Sequence, residues 1–406
     1  MPKAPLFNTL LLNYHSNVQK RYKILILIGI LYVWSLLLSI TLQTALLIIF
    51  LLYFILFELK ASKTLLKNRV LQAFLMFYFI SFFTSLFSPY RLYAIKKISG
   101  VIFDTLVPFV MGYIITRHNL EGKVKKHGLI SFIILSTLSV ILYLYSKDGF
   151  SPILNRHGIL TGFLGGKLTY PGVLSAMGGI IFERIPYKDG ILALLILIIS
   201  TGINTSRSYI FGILFSVFVI GLLNLKKYYK YLLLTLFTLI VLVMSFPKTY
   251  KRFKTTNPKH PDTSIKIRLD LWKMGVKILN KHPVFGIGFE TWPRVADSMV
   301  NKYGSHLLRS TIIKDSPNAR AIRGHFHNTY LEMAINGGIP LLVFYLYLIF
   351  TMLKDAILLD EPMKYAFLFM FSIFIFAGFF EYNFSDAEVA HAFFFFSGIY
   401  LQKAKV

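Results

Sequence analysis

Apolar runs of about 17 to 20 residues recur along the chain, long enough to cross a hydrocarbon layer as helices that satisfy their own backbone hydrogen bonds. Twelve such segments are predicted, at 24–40, 41–57, 70–88, 98–116, 129–145, 168–183, 190–205, 207–225, 231–246, 331–353, 365–381 and 387–402. The first two form one uncharged stretch from Ile24 to Phe57, the sixth contains Pro171 and Gly172, and the last is short, so the parity of the map rests on these. Between the ninth and tenth segments the pattern changes. Ile267, Leu271, Met274 and Ile278 fall at i, i+4, i+7 and i+11, which predicts an amphipathic helix over Ser264 to Leu279, capped by Thr263 or Ser264. His282 to Phe289 then reads as a glycine-containing turn, and Gly324 to Pro340 gathers polar residues ahead of the tenth segment.

Charge orients this map, because short cytoplasmic loops are enriched in Lys and Arg. Alternate connections carry them: Lys60, Lys63, Lys67 and Arg69, then Arg117, Lys123, Lys125 and Lys126, then Lys226, Lys227 and Lys230. Both termini are therefore expected on the cytoplasmic side and the long segment 247–329 outside. Met1 to Lys23 is polar and basic without a small-residue cleavage site, so the first span is expected to be retained. The expected organisation is an N-terminal bundle of about nine helices (1–246), a periplasmic loop (247–329) and about three C-terminal helices (330–406).

Composition agrees with a lipid environment: 55% of the 406 residues are hydrophobic and 15% charged, with 39 Phe and no Cys. No disulfide scaffold is possible. The net charge of +26 would suit a nucleic-acid partner only if it formed a water-facing patch, and here the basic residues are interleaved with apolar runs, so nucleic acid is set aside. Sixteen of the 44 Lys and Arg residues fall between Pro247 and Thr329, against five acidic residues. That imbalance marks the loop as the expected meeting place of anionic substrates.

Three ordered motifs resemble the O-antigen ligase and O-antigen polymerase superfamily of bacterial envelope glycosyltransferases. They are Thr205-Ser206-Arg207-Ser208 at the outer end of the eighth span, Ile267 to Trp272 followed by the Pro283 to Gly288 turn, and His325-Phe326-His327-Asn328 followed by Gly337-Gly338. Asn383 to Glu388 is similar to an acidic element of some ligases. The resemblance implies a glycosyltransferase-C-like, all-α integral membrane protein of about twelve helices at the bacterial inner membrane. It also implies an inverting, metal-independent transfer, with no cofactor, of a glycan from undecaprenyl pyrophosphate to a sugar hydroxyl of lipid A-core at the periplasmic face. The partners implied are that lipid-linked donor, the core acceptor and membrane lipids. Polymerisation, protein O-glycosylation and, outside enzymes, a polysaccharide flippase are the competing readings.

Elementary chemistry gives the candidate residues roles. A departing pyrophosphate gains charge, and Arg207 and Arg268 carry the planar fork that binds phosphate oxygens in pairs. The acceptor hydroxyl needs a base, for which His327 is the candidate and His325 the reserve. Alternating extension would turn the two rings opposite ways. Asn328 either orients a ring or caps the next helix, and Glu332, about one turn on, would fix the His327 tautomer. Arg91, Lys97 and Arg156 in short external connections would attract the pyrophosphate or core, and Asp386 represents the acidic element. His-x-His with His282, His306 or Glu332 would be the metal alternative, but no Cys or His-Glu-x-x-His helix supports it.

Overall fold

The computed structural model describes residues 4–145, 159–185, 187–245, 250, 263–314 and 317–404. Arg156 and the basic stretch Lys248 to Lys254, except Tyr250, lie outside the described residues. Every regular element described is a helix. In chain order these are α1 (Ala4–Ser35), α2 (Ile40–Tyr53), α3 (Arg69–Ser85), α4 (Arg91–Arg117), α5 (Glu121–Tyr145), α6 (Thr169–Ala176), α7 (Gly178–Glu183), α8 (Lys188–Asn204), α9 (Arg207–Leu223) and α10 (Leu225–Ser245). They continue with α11 (Thr263–Lys281), α12 (Trp292–Tyr303), α13 (His306–Ile313), α14 (Pro317–Gly324), α15 (Thr329–Ile357), α16 (Met363–Gly378) and α17 (Ala387–Leu401). A π-helical turn, Phe54–Glu58, extends α2.

Each predicted apolar segment contains helix, and the sixth is two short helices meeting at Met177. Among the described residues four helices are long and apolar enough to cross a membrane: Ile40–Glu58, Arg91–Arg117, Glu121–Tyr145 and Thr329–Ile357. Four shorter apolar helices accompany them, at Arg69–Ser85, Arg207–Leu223, Met363–Gly378 and Ala387–Leu401. Two apolar cores result. The larger joins the bundle helices, with α4 and α17 packed so closely that a Cβ on Gly112 would lie 2.1 Å from the Phe395 carbonyl oxygen. Helix pairs in lipid gain their contact from such small residues, since lipid tails give no hydrophobic drive to associate.

The smaller core belongs to the segment between α10 and α15. Ile267, Leu271, Met274 and Ile278 are all buried on α11, as their spacing requires, against Trp292, Val300, Leu308, Ile322 and Phe326. Helices α12 to α14 were not anticipated, although Trp292, Val295, Ala296 and Val300 repeat at helical intervals and all four are buried.

The two glycine motifs fit each other. Helix α15 breaks at Gly337 (φ −137°, ψ 20°) and Gly338 (φ 72°, ψ −171°). The break releases carbonyls from helical bonding, and the Pro283 to Gly288 turn takes them: Ile287 N–H donates to Ile335 O (2.8 Å) and Gly288 N–H to Asn336 O (3.0 Å). In return Ile339 N–H donates to Pro283 O at 2.7 Å. A Cβ on Gly338 would lie 2.4 Å from the Val284 carbonyl, so the close approach itself requires glycine there. Ser88 Oγ holds the turn from the end of α3 by donating to Ile287 O (2.6 Å). The α11–α14 segment is thereby docked on the bundle at a fixed height.

Candidate active site

A cavity of about 400 Å³ opens where this docked segment meets the ends of α6, α9, α15 and α17. Lys97, Tyr209, Glu290, His325, Glu381 and Asp386 contribute to its wall. At its centre is Glu381, in the connection between α16 and α17. One of its oxygens accepts from Arg268 Nη2 (3.1 Å) and from Ser208 Oγ (3.3 Å). The other, Oε2, lies 3.7 Å from His327 Nδ1, and neither atom has a hydrogen-bond partner although both are buried. Burial alone would raise the Glu381 pKa, but the Arg268 guanidinium, followed by His327 and His325, holds it below the usual carboxylate range.

Local backbone chemistry builds this arrangement. Asn328 caps α15, its Oδ1 accepting from Leu331 N–H at 2.9 Å, while its Nδ2 donates to Phe379 O. Thr329 then donates through both N–H and Oγ1 to the Glu381 carbonyl (3.2 and 2.9 Å). The corner before α15 is thus fastened to the connection that carries Glu381. Trp272 Nε1 donates to Phe326 O (2.8 Å), which ties α11 and its Arg268 to the same corner.

Alternating extension does not hold at the histidines. His327 has φ 53°, so the chain turns and the rings of His325 and His327 face each other with centroids 4.1 Å apart. His325 Nδ1 accepts from His327 N–H (3.1 Å), which leaves the His325 proton on Nε2. Burial, then the neighbouring His327, pushes the His325 pKa down to about 3. Glu332 does not reach His327; its Oε2 accepts from Phe326 N–H at 2.8 Å. Thr205, Glu290 and His327 all have positive φ, a conformation that non-glycine residues adopt at a cost, and of the three Glu290 lines the cavity.

The remaining candidates are placed as follows. Arg207 opens α9, two residues before Tyr209 and beside the Ser208 that bonds Glu381. Lys97 Nζ lies 3.7 Å from Glu290 Oε2, and Ser385 Oγ donates to the other Glu290 oxygen. Burial raises the Glu290 pKa against the opposing pull of Ser385 and Lys97. Asp386 accepts from Thr169 Oγ1 (3.0 Å) and caps α17 through Val389 N–H rather than pairing with a loop cation; burial and then Glu388 raise its pKa. Arg91 is exposed at the start of α4 and is not part of the cavity wall.

Among the described residues, no three His, Asp or Glu side chains are grouped so as to hold a metal. The wall contains five carboxylates, Glu290, Glu332, Glu381, Asp386 and Glu388, and Lys97 is its one Lys or Arg among the described residues. Among the described residues, the segment's Lys and Arg side chains are not part of this wall.

Residues 192–346 match the O-antigen ligase family model. The matched segment includes Arg207, Arg268, Glu290, His325 and His327, of which Glu290 and His325 line the cavity, and it ends before Glu381 and Asp386, which also line it. No curated protein matches the chain. Glu290, Glu381 and Tyr209 were missed from sequence. The available signal was a carboxylate at the end of an apolar run, a position where an ionisable residue suggests function by default.

Proposed function

We propose that the protein is an inner-membrane glycosyltransferase of the O-antigen ligase type, crossing the membrane twelve times with its cavity on the periplasmic side. Its donor is a glycan on undecaprenyl pyrophosphate and its acceptor a sugar hydroxyl of lipid A-core. The observation that carries this reading is the Arg268–Glu381–His327 grouping, with a buried histidine nitrogen and a buried carboxylate oxygen 3.7 Å apart and both uncommitted.

In this reaction the acceptor oxygen attacks the anomeric carbon from the side opposite the leaving group. The bond from that carbon to the phosphate oxygen breaks, and the pyrophosphate departs with the electron pair. His327 takes the hydroxyl proton on Nε2, and Glu381 stabilises the resulting imidazolium at Nδ1, the relation in which a carboxylate orients a catalytic histidine. Arg207 and Arg268 meet the charge growing on the pyrophosphate, and Arg268 also keeps Glu381 ionised. His325, uncharged at neutral pH, packs the His327 ring in place.

Purified protein in detergent, given lipid-linked glycan and acceptor, tests the assignment. His327→Ala, Arg207→Ala and Arg268→Ala should each abolish transfer while the protein stays folded; retained activity in all three refutes the site. In a deletion strain, full-length lipid-linked glycan accumulating outside points to ligation and single repeat units to polymerisation. Accumulation confined to the cytoplasmic side would sink the transferase reading.

A further inference from the structure

We infer that a second cavity, at the end of the bundle opposite the reaction cavity, binds one anionic phospholipid through its phosphodiester and its acyl chain. The inference needs only a membrane-embedded bundle and does not depend on the transfer chemistry. The two cavities lie at opposite ends of the same helices. Thr169, where α6 begins, bonds Asp386 beside the reaction cavity, whereas Glu183, where α7 ends, accepts from the Tyr400 hydroxyl (3.0 Å) near the far end of α17. In the orientation proposed above, this end faces the cytoplasmic leaflet.

The cavity has a volume of about 560 Å³, larger than the reaction cavity. Its long wall is one stripe of α5, on which Gly122, Lys125 and Lys126 give way to Leu129, Ile130 and Ile133. At 1.5 Å per residue that stripe is about 16 Å long. Ile180 of α7 adds to the apolar end, and the exposed Ile134, Leu138 and Ile141 continue the apolar surface of α5 beyond it. A groove charged at one end and apolar along the rest has the polarity of a lipid, and basic pockets between helices on the cytoplasmic side are suited to anionic headgroups. The apolar wall is what separates a lipid from a free phosphate ester with the same headgroup.

The hydrogen-bond inventory selects the headgroup charge. Both carboxylates at the polar end are already engaged. Glu183 accepts from Lys125 Nζ with both oxygens (2.6 and 2.9 Å) and from Tyr400 with one of them. Asp189 Oδ2 accepts from Arg184 Nε and Nη2 (3.0 and 2.9 Å), and its Oδ1 from Gly190 N–H (3.1 Å). These two ion pairs cancel, and Lys126 is left exposed without an acidic partner among the described residues. Arg184 keeps N–H donors beyond those that reach Asp189. One uncancelled positive charge with spare donors suits a singly charged phosphodiester, while the ammonium of a zwitterionic headgroup would find the carboxylates taken. A Cβ on Gly122 would meet nothing within 4 Å, which leaves room for the headgroup at the positive end of the α5 dipole.

Native mass spectrometry of the purified full chain in detergent tests the inference with phosphatidylglycerol, phosphatidylethanolamine of the same acyl chains, and glycerol 1-phosphate. One phosphatidylglycerol should bind about tenfold or more tighter than phosphatidylethanolamine, with glycerol 1-phosphate not retained. Lys126→Gln has no ion pair to break, so it should leave the melting temperature in lipid-free detergent unchanged. It should weaken phosphatidylglycerol about tenfold, the value of one charge-assisted hydrogen bond. Ile133→Trp, which fills the apolar end without altering charge, should displace the lipid as well. Lys60→Gln, at an exposed lysine outside the cavity, controls for general attraction to anionic lipid and should have no effect. Equal affinity for the two lipids, glycerol 1-phosphate bound as tightly as phosphatidylglycerol, or equal effects of Lys126→Gln and Lys60→Gln would overturn the site.

Discussion

Two carboxylate–histidine groups in this protein have opposite bonding. In the bundle, His391 is completely buried, with Nε2 3.0 Å from Asp104 Oδ1 and Nδ1 2.9 Å from Gln43 Oε1. Gln43 in turn donates to the carbonyls of Ser35 and Leu36 at the end of α1. Both ring nitrogens are engaged, and the group crosses the tight α4–α17 contact. Beside the cavity, His327 Nδ1 and Glu381 Oε2 lie 3.7 Å apart without a bond, and His327 itself has positive φ. A satisfied polar group inside a bundle fixes helix positions, whereas an unsatisfied one at a cavity wall leaves bonding capacity for a ligand. A histidine beside a carboxylate therefore serves different ends in the two places, and the hydrogen-bond inventory separates them.

The largest effect that would sharpen this contrast is expected at Glu381. Glu381→Gln keeps the shape and can still accept from Arg268, but it removes the charge facing His327. Transfer should fall about 10²-fold or more, the range seen when one stabilising group is removed from a transition state, with the melting temperature nearly unchanged. Asp104→Asn, the matching change in the bundle, should leave turnover per folded molecule close to wild type. If Asp104→Asn reduces turnover as much as Glu381→Gln does, the distinction between the groups is broken.

The next effect is on stability. His391→Ala removes the ring partner of Asp104 Oδ1 and of Gln43 Oε1, and an unsatisfied buried polar group costs about 1–3 kcal/mol. Thermal unfolding in detergent should show the loss, while protein that remains folded keeps its transfer rate. His327→Ala should do the reverse, abolishing transfer with little change in melting temperature.

The contrast also explains what could be read from the sequence. Periodicity located the apolar helices and the buried face of α11, because both depend on spacing within one segment. Asp104 and His391 fall inside the predicted segments 98–116 and 387–402, and charge inside an apolar run has few places to go but the bundle interior. Glu381 carries no comparable spacing signal: its partner Arg268 is 113 residues away, and Glu290 meets Ser385 across 95. The histidine geometry was misjudged because alternation assumes extended backbone, and His327 instead adopts φ 53°. Composition counts a segment's residues without regard to the face they occupy, so it could not say which of them would line the cavity. A helix such as α11, with Lys and Arg on several faces, can still hold its cations away from a wall supplied by α15, α17 and the connection before α17.

The smallest expected effect is a pH dependence that tests whether His325 belongs to the packed side of the comparison. Its pKa is about 3 in the folded protein against 6.5 for an unperturbed histidine, the first cause being burial and the second His327. Above about pH 6.5 neither state binds a proton at this site, and stability does not depend on it. Between 6.5 and about 3 the unfolded chain binds a proton that the folded chain excludes, so stability falls as pH falls through that window. His325→Gln removes this dependence while keeping a polar group of similar reach. Melting temperatures of wild type and His325→Gln, measured from pH 7.5 down to 4.5, should therefore converge on acidification, with the wild type losing more. Parallel curves over that range would show that His325 is charged in the folded protein, and would return it to the candidates for proton transfer alongside His327.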